Sequence, residues 1–260
     1  LADKPWYPFP VEIPVTVDSP EPTASETAAV PASSILSAEK RPTHYVPLER
    51  VQSPWRLCVS FPHMKDSYWL AVNFGITNEV QRLGARMRLY QAGGYDNLDR
   101  QISQIRKCIA EGTDGVIIGA ISYDGLNTLV DEVRQQGIPV IDVINGMSSP
   151  EVTARSLVSF EEMGYRAGEY IAKRHPLNST AAKVAWFPGP QGAGWVTVGN
   201  SGFRQALAGS SVELVATRYG DTGKDAQTKL LEEVLDAHPD LDYIAGTAVT
   251  ASAAIKVLRK

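Results

Sequence analysis

The sequence predicts an α/β protein: two successive lobes, each a parallel sheet flanked by helices, behind an extended N-terminal arm. Three observations carry this. From Trp55 onward, short apolar runs alternate with segments whose apolar residues recur at spacings of three and four. Gly84, Gly112 and Gly137 stand shortly before the next apolar run, where helices commonly end. Prolines crowd the front of the chain, with ten of the 17 in residues 1–54.

The arm comes first. From Asp18 to Ser34 it is Pro, Ser, Thr, Ala and Glu with few large apolar side chains. Proline removes backbone donors, so that stretch is expected to make no ordinary ladder or packed core, and residues 1–54 as a whole are read as an extended arm. The aromatic patch Trp6-Tyr7-Pro8-Phe9 reads equally as a docking element or as part of a flexible leader. Leu1-Ala2-Asp3-Lys4 has no charged stretch leading into an apolar one, so no signal peptide is read there.

The first lobe spans residues 55–150. Its strands are expected at Leu57–Phe61, Met87–Tyr90, Val116–Ile118 and Val140–Val143. Helices between them follow from Trp69, Val72, Ile76, Val80 and Leu83, and from Leu98, Ile102, Ile105 and Ile109. A break between the lobes is placed within 148–162, after Ser148-Ser149-Pro150. The second lobe, residues 151–260, opens with a helix over Glu161–Arg174. Strands follow at Val184–Phe187, Val212–Tyr219 and Tyr243–Ala245, with a helix around Leu230 and Val234. Such alternation implies parallel sheets with right-handed crossovers, and ligands then sit outside the carboxyl ends of the strands.

Composition removes several function classes. In 260 residues, 43% hydrophobic and 21% charged, the balance is that of a soluble globular protein. A net charge of -4 carries no nucleic-acid footprint. No apolar run approaches the roughly 18 residues of a membrane span, so direct insertion is not expected. His44, His63, His175 and His238 stand apart without metal-ligand spacing, and no serine sits in a nucleophile elbow. No catalytic residue, metal or cofactor is therefore expected. Asp66 near His63 reads as a helix cap beside a surface histidine in preference to an acid–base pair.

The strand-end loops carry the candidate site. Asp66, Tyr68 and Trp69 follow the first strand, Tyr95 the second, Tyr123 the third and Asn145 the fourth. In the second lobe Trp195 closes the glycine-rich loop 189–194, and Thr247 follows the last strand. Aromatic rings converging on a cleft suit a small ligand, above all a cationic or methylated one. Taken singly, each ring has an ordinary explanation as core or turn. The loop 189–194 lacks both the phosphate-loop ending and the dinucleotide fingerprint, leaving a tight turn or a hinge.

Cys58 lies in the first strand and Cys108 in the second helix. In a doubly wound sheet of order 2-1-3, that helix crosses over the first strand, so a disulfide between them is sterically reasonable. Two buried free thiols are the alternative, and the bridge would imply an oxidising compartment.

The motifs Lys65-Asp66-Ser67-Tyr68-Trp69-Leu70, Ala92-Gly93-Gly94-Tyr95, Met163-Gly164-Tyr165, Pro188-Gly189-Pro190, His238-Pro239 and Ala245-Gly246-Thr247-Ala248, with Leu57-Cys58 and Cys108, are ordered as in a known family. Over roughly residues 55–254 the chain resembles the type I periplasmic binding proteins, within them the sensors of trimethylamine N-oxide. The resemblance implies two Rossmann-like lobes around a ligand cleft, a periplasmic location and no enzymatic activity. It also implies a small-molecule ligand and, as partner, the periplasmic domain of a membrane sensor histidine kinase. Asp66, Tyr68, Trp69 and Tyr95 would be ligand residues, Trp69 facing a methylated nitrogen and tyrosine hydroxyls donating to the oxide. Where such sensors usually place a Trp before the Phe of Phe-x-x-Met-Gly-Tyr, this chain has Ser159-Phe160. Phe160 or Trp195 would then stand in for the missing wall. The fold is expected to continue beyond Lys260. The competing reading is the solute-binding component of an ABC importer for a sugar or other small polar ligand. A transcriptional regulator core is disfavoured, since ten prolines leave no N-terminal helix-turn-helix.

Overall fold

The computed structural model describes residues 13–18 and 40–259. The described residues form three sheets. In the first, β3 (Arg56–Phe61), β4 (Arg86–Gln91), β5 (Gly115–Ile118), β6 (Val140–Ile144) and β7 (Ala154–Leu157) lie in the order β4-β3-β5-β6-β7. Every pairing in it is parallel. Helices α1 (Ser67–Leu83), α2 (Leu98–Ala110) and α3 (Asn127–Gln135) connect the strands. The second sheet holds β8 (Ala182–Gly189), β9 (Val212–Tyr219) and β10 (Tyr243–Gly246) in the parallel order β10-β8-β9. With it go α4 (Phe160–Ala172), α5 (Gly194–Leu207), α6 (Lys224–Ala237) and α7 (Ala248–Val257). The chain is thus mixed α/β with two parallel sheets, as the alternation of runs predicts.

The apolar stripes read from the sequence form the cores. Ile105 and Cys108 of α2 pack with Leu129, Val130 and Val133 of α3 against Val116, Ile118 and Val140. On the other face of that sheet, Val59, Phe61 and Trp69 meet Val143, with Val72 and Ile76 of α1 against them. Gly84 caps α1 in the left-handed conformation at φ 75, a position that a residue bearing Cβ occupies at a cost.

Among the elements not read from the sequence are β7 and α5. β7 carries no apolar run and is mostly exposed, yet it pairs with β6 from Ile141↔Ala154 to Ile144↔Leu157. The first sheet therefore extends past residue 150, and the chain leaves it between Leu157 and Phe160. Helix α5 begins inside what reads as a glycine-rich loop. Its glycines serve helix contact: a Cβ at Gly202 would lie 2.1 Å from Glu161 O of α4, and one at Gly164 would lie 2.0 Å from Gly199 O. Only bare backbones let α4 and α5 come this close.

In the arm, two extended segments on either side of the proline-rich stretch pair with one another. β1 (Ile13–Asp18) and β2 (Lys40–Tyr45) form an antiparallel ladder running from Ile13↔Tyr45 to Asp18↔Lys40. Pro14 and Pro42 lie within it. In a two-stranded ribbon each strand is an edge, so a proline whose missing donor faces outward costs no ladder bond. The patch Trp6–Phe9 lies outside the described residues.

Candidate ligand-binding site

The loop after β3 builds one wall. Asp66 caps α1, its Oδ1 accepting from Trp69 N at 3.0 Å. This cap fixes where the first turn of the helix starts, and so where Trp69 points. The Trp69 ring is buried against Phe61, centroids 4.8 Å apart. It also lies over Gly119 at the end of β5, where a Cβ would come 2.4 Å from the indole. Gln101 of α2 holds these strand ends together: its amide donates to Gly119 O at 2.9 Å and its oxygen accepts from Ile121 N at 3.0 Å.

Tyr95 stands opposite. Its hydroxyl accepts from Asn145 Nδ2 at 3.0 Å, and the same amide donates to Ala120 O at 2.7 Å. Burial pushes the Tyr95 phenol above its ordinary pKa, so the group stays protonated and able to donate. Asn145 is delivered by a strained backbone. Ile144 has φ 70, and Asn145 N donates to Val143 O two residues back. A β-branched residue in the left-handed region is costly and persists where the surroundings enforce it.

The second lobe supplies the facing wall. Trp195, in the first turn of α5, has its ring 6.2 Å from Tyr95 and 5.3 Å from Phe160. Phe160 opens α4 directly after Ser159, whose hydroxyl accepts from Glu162 N. Ser159 thus works as an N-cap, and the ring pair Phe160–Trp195 occupies this side of the cleft. Tyr123 lies on the rim, its N–H donating to Gly192 O at 3.3 Å and its ring against Gly194.

Of the residues singled out in the sequence, Asp66, Trp69, Tyr95, Asn145, Phe160 and Trp195 come together. Tyr68 is exposed at the mouth, edge-on to Trp69 at 6.1 Å. Thr247 is taken up elsewhere: it caps α7 and its hydroxyl pairs with Thr250 Oγ1 at 3.0 Å, which in turn donates to Gln227.

Sequence reasoning missed the bridge between the lobes. His63 is not a surface residue; it is fully buried, with Trp69 and Tyr95 edge-on to its ring. Its Nδ1 accepts from Lys65 N, which leaves Nε2–H to donate to Thr222 Oγ1 at 2.9 Å. Burial lowers the His63 pKa and outweighs the opposing pull of Asp66 and Asp221. Beside it Lys65 Nζ pairs with Asp221 Oδ2 at 2.7 Å. The residues of this bridge lie more than 150 positions apart, so no local pattern marks them.

Cys58 and Cys108 are joined by a disulfide that ties β3 to α2, with Cα atoms 6.1 Å apart. Among the described residues no group of His, Cys, Asp and Glu is arranged to hold a metal ion, and no helix is long and apolar enough to cross a membrane.

A cleft between two parallel-sheet lobes, lined from strand ends, is the architecture of a solute-binding protein. Residues 57–260 match the periplasmic binding protein domain, and the chain belongs to that family. It is similar to the periplasmic protein TorT of Escherichia coli K12, with 36% identity over 211 residues covering 79% of this chain. The chain spans 59% of the length of that relative. Among solved structures, an ABC transporter solute-binding protein from Bradyrhizobium sp. BTAi1 with bound Bis-Tris is 49% identical. That likeness covers 98% of this chain and 72% of the other, with a TM-score of 0.70. TorT in its complex with the TorS sensor domain, in the presence of TMAO, is 32% identical. There the coverage is 79% of this chain and 69% of the other, with a TM-score of 0.67.

Proposed function

We propose that this chain is a periplasmic sensor protein that takes trimethylamine N-oxide, or a related small methylated compound, between its lobes and signals to the periplasmic domain of a membrane histidine kinase. The observation that carries this is the box itself: Trp69, Tyr95, Phe160 and Trp195 drawn from both lobes, with the Asp66 carboxylate beside them. A methylated nitrogen is favoured by aromatic faces and by a nearby carboxylate, while an oxide oxygen needs donors such as the Tyr95 hydroxyl. Tyr68, Tyr123 and Asn145 would complete the rim and hold the box in shape, and Thr247 would join only by leaving its cap. The TorT likeness supports the kinase partner, and family membership supports a ligand-binding role without catalysis and a periplasmic location.

The bridges His63–Thr222 and Lys65–Asp221 give closure a physical basis. Ligand shifts the balance between open and closed lobes only if it binds the closed form better. A box whose walls come from both lobes has that property.

A second reading, the solute-binding component of an importer, is favoured by the likeness to the Bradyrhizobium protein. Calorimetric titration separates the ligands: trimethylamine N-oxide is expected to bind saturably and D-ribose and D-arabinose not at all. Trp69→Phe, which keeps an aromatic core residue, is expected to weaken the N-oxide at least tenfold. Binding of a pentose alone would reject the sensor reading.

A further inference from the structure

The Trp195 side chain is held more tightly than a wall requires. Gly189 ends β8 at φ 119, and a Cβ there would come 2.4 Å from the indole ring. Phe160 packs on one side and Tyr95 stands across the cleft. The ring is therefore fixed in orientation, and its Nε1–H is buried without a hydrogen-bond partner among the described residues. The Trp195 N–H acts on the Tyr95 phenol as a neighbouring donor, but it does not reach hydrogen-bond geometry with that hydroxyl. A buried donor left unsatisfied is destabilising, and native proteins tolerate it where something else supplies the acceptor.

We propose that Trp195 is a specificity-determining residue: its indole N–H donates to an oxygen of the bound ligand, so that the site selects methylated compounds carrying an acceptor oxygen over quaternary ammonium ions that lack one. The inference rests on the sensor reading above and deepens it. Tyr95 O–H converges on the same region, and with its pKa raised it does so as a donor. Two neutral donors and no cation among these ring residues suit a polarised oxygen that is already balanced by a positive nitrogen within the same molecule. The Asp66 carboxylate, 4.0 Å from His63 Nε2, is left to the nitrogen end. A bare ammonium ion would leave the indole N–H orphaned, and sites built to hydrogen-bond a polar group reject ligands without it.

The test uses two probes of nearly equal size. Trimethylamine N-oxide has the oxygen; tetramethylammonium replaces it by a methyl group. Both are titrated by calorimetry against the wild-type chain and Trp195→Phe, which keeps the ring and removes the N–H. The wild type is expected to prefer the N-oxide. Trp195→Phe is expected to weaken N-oxide binding about tenfold, the scale of one hydrogen bond, and tetramethylammonium distinctly less, since an aromatic face is kept. Tetramethylammonium binding by the variant also reports that its box is folded. If Trp195→Phe keeps its N-oxide affinity within twofold, or loses both probes alike, Trp195 is no donor and the inference falls while the sensor reading stands. If the wild type itself does not bind the N-oxide, the sensor reading falls and the inference with it.

Discussion

Opening the Cys58–Cys108 bond should destabilise the first lobe strongly without disturbing the ligand site. The two residues are 50 positions apart. In the chain-entropy account, closing a loop of that length removes about 4 kcal/mol of freedom from the unfolded chain. For a chain of this size that corresponds to roughly 10 °C in melting temperature. Both sulfurs are buried beneath α2, so mild reductant should leave the folded protein oxidised. The perturbation is therefore reduction in denaturant and refolding with reductant present, which keeps every heavy atom and replaces the bond by two thiols. Differential scanning calorimetry reads the shift. Ligand affinity should stay within about twofold, because Gln101 holds the β3 and β5 ends through Ser60, Gly119 and Ile121 independently of the sulfurs. A shift under about 2 °C would refute the loop-closure reasoning. Two free thiols in the mass spectrum of unreduced protein would remove the bond altogether.

Glycine substitutions should split by space. Gly202→Ala is expected to lose at least 2 kcal/mol in urea unfolding, since its Cβ would meet Glu161 O at 2.1 Å. Gly75→Ala, inside α1 with nothing within 4 Å, should gain up to about 1 kcal/mol. Equal effects at the two sites would contradict the helix-contact account. The Lys65–Asp221 pair is part-exposed and so contributes about 1 kcal/mol or less to closure. Asp221→Asn should therefore weaken ligand two- to fivefold at low salt, and 1 M salt should erase the difference; a salt-independent loss would point to another role. Asp142 is buried in β6, and burial pushes its carboxyl up to about 6 against the Met147 N–H and Arg155. The folded state thus keeps this proton to about pH 6 while the unfolded chain releases it near pH 4. The group's contribution is largest below about pH 4 and declines as pH rises to about 6, by roughly 2–3 kcal/mol. Asp142→Asn should abolish that decline in urea unfolding across pH 4–7, and an unchanged pH profile would contradict it.

Most of the sheet framework was legible because buried parallel strands read as apolar runs, as in Val116–Ile118 and Val184–Phe187. Helix periodicity placed α1 and α2, and with them the crossing that brings Cys108 over Cys58. β7 escaped because it pairs at a sheet edge with little burial, so nothing selects an apolar pattern there. α5 escaped because its glycines look like loop residues until the α4 backbone is known to pass beside them. The β1–β2 ladder was not read from the sequence; its prolines fit because each strand of a two-stranded ribbon is an edge. At the site, the residues after the strands were identifiable from position, and Trp69, Tyr95, Phe160 and Trp195 do converge. The burial of His63 was not legible, because its partner Thr222 lies 159 residues further on and belongs to the other lobe. Thr247 resembled a site residue by position alone, and its hydroxyl is spent on the α7 cap.

The most direct measurement is a crystal structure of the chain grown with trimethylamine N-oxide. The methylated nitrogen should lie against the face of Trp69, on the Asp66 side, with the oxygen within hydrogen-bond distance of Tyr95 Oη and Trp195 Nε1. The bridges His63–Thr222 and Lys65–Asp221 should be intact across the closed cleft. Density for the N-oxide outside the aromatic box, or a box closed on itself without ligand at saturating concentration, would contradict the account.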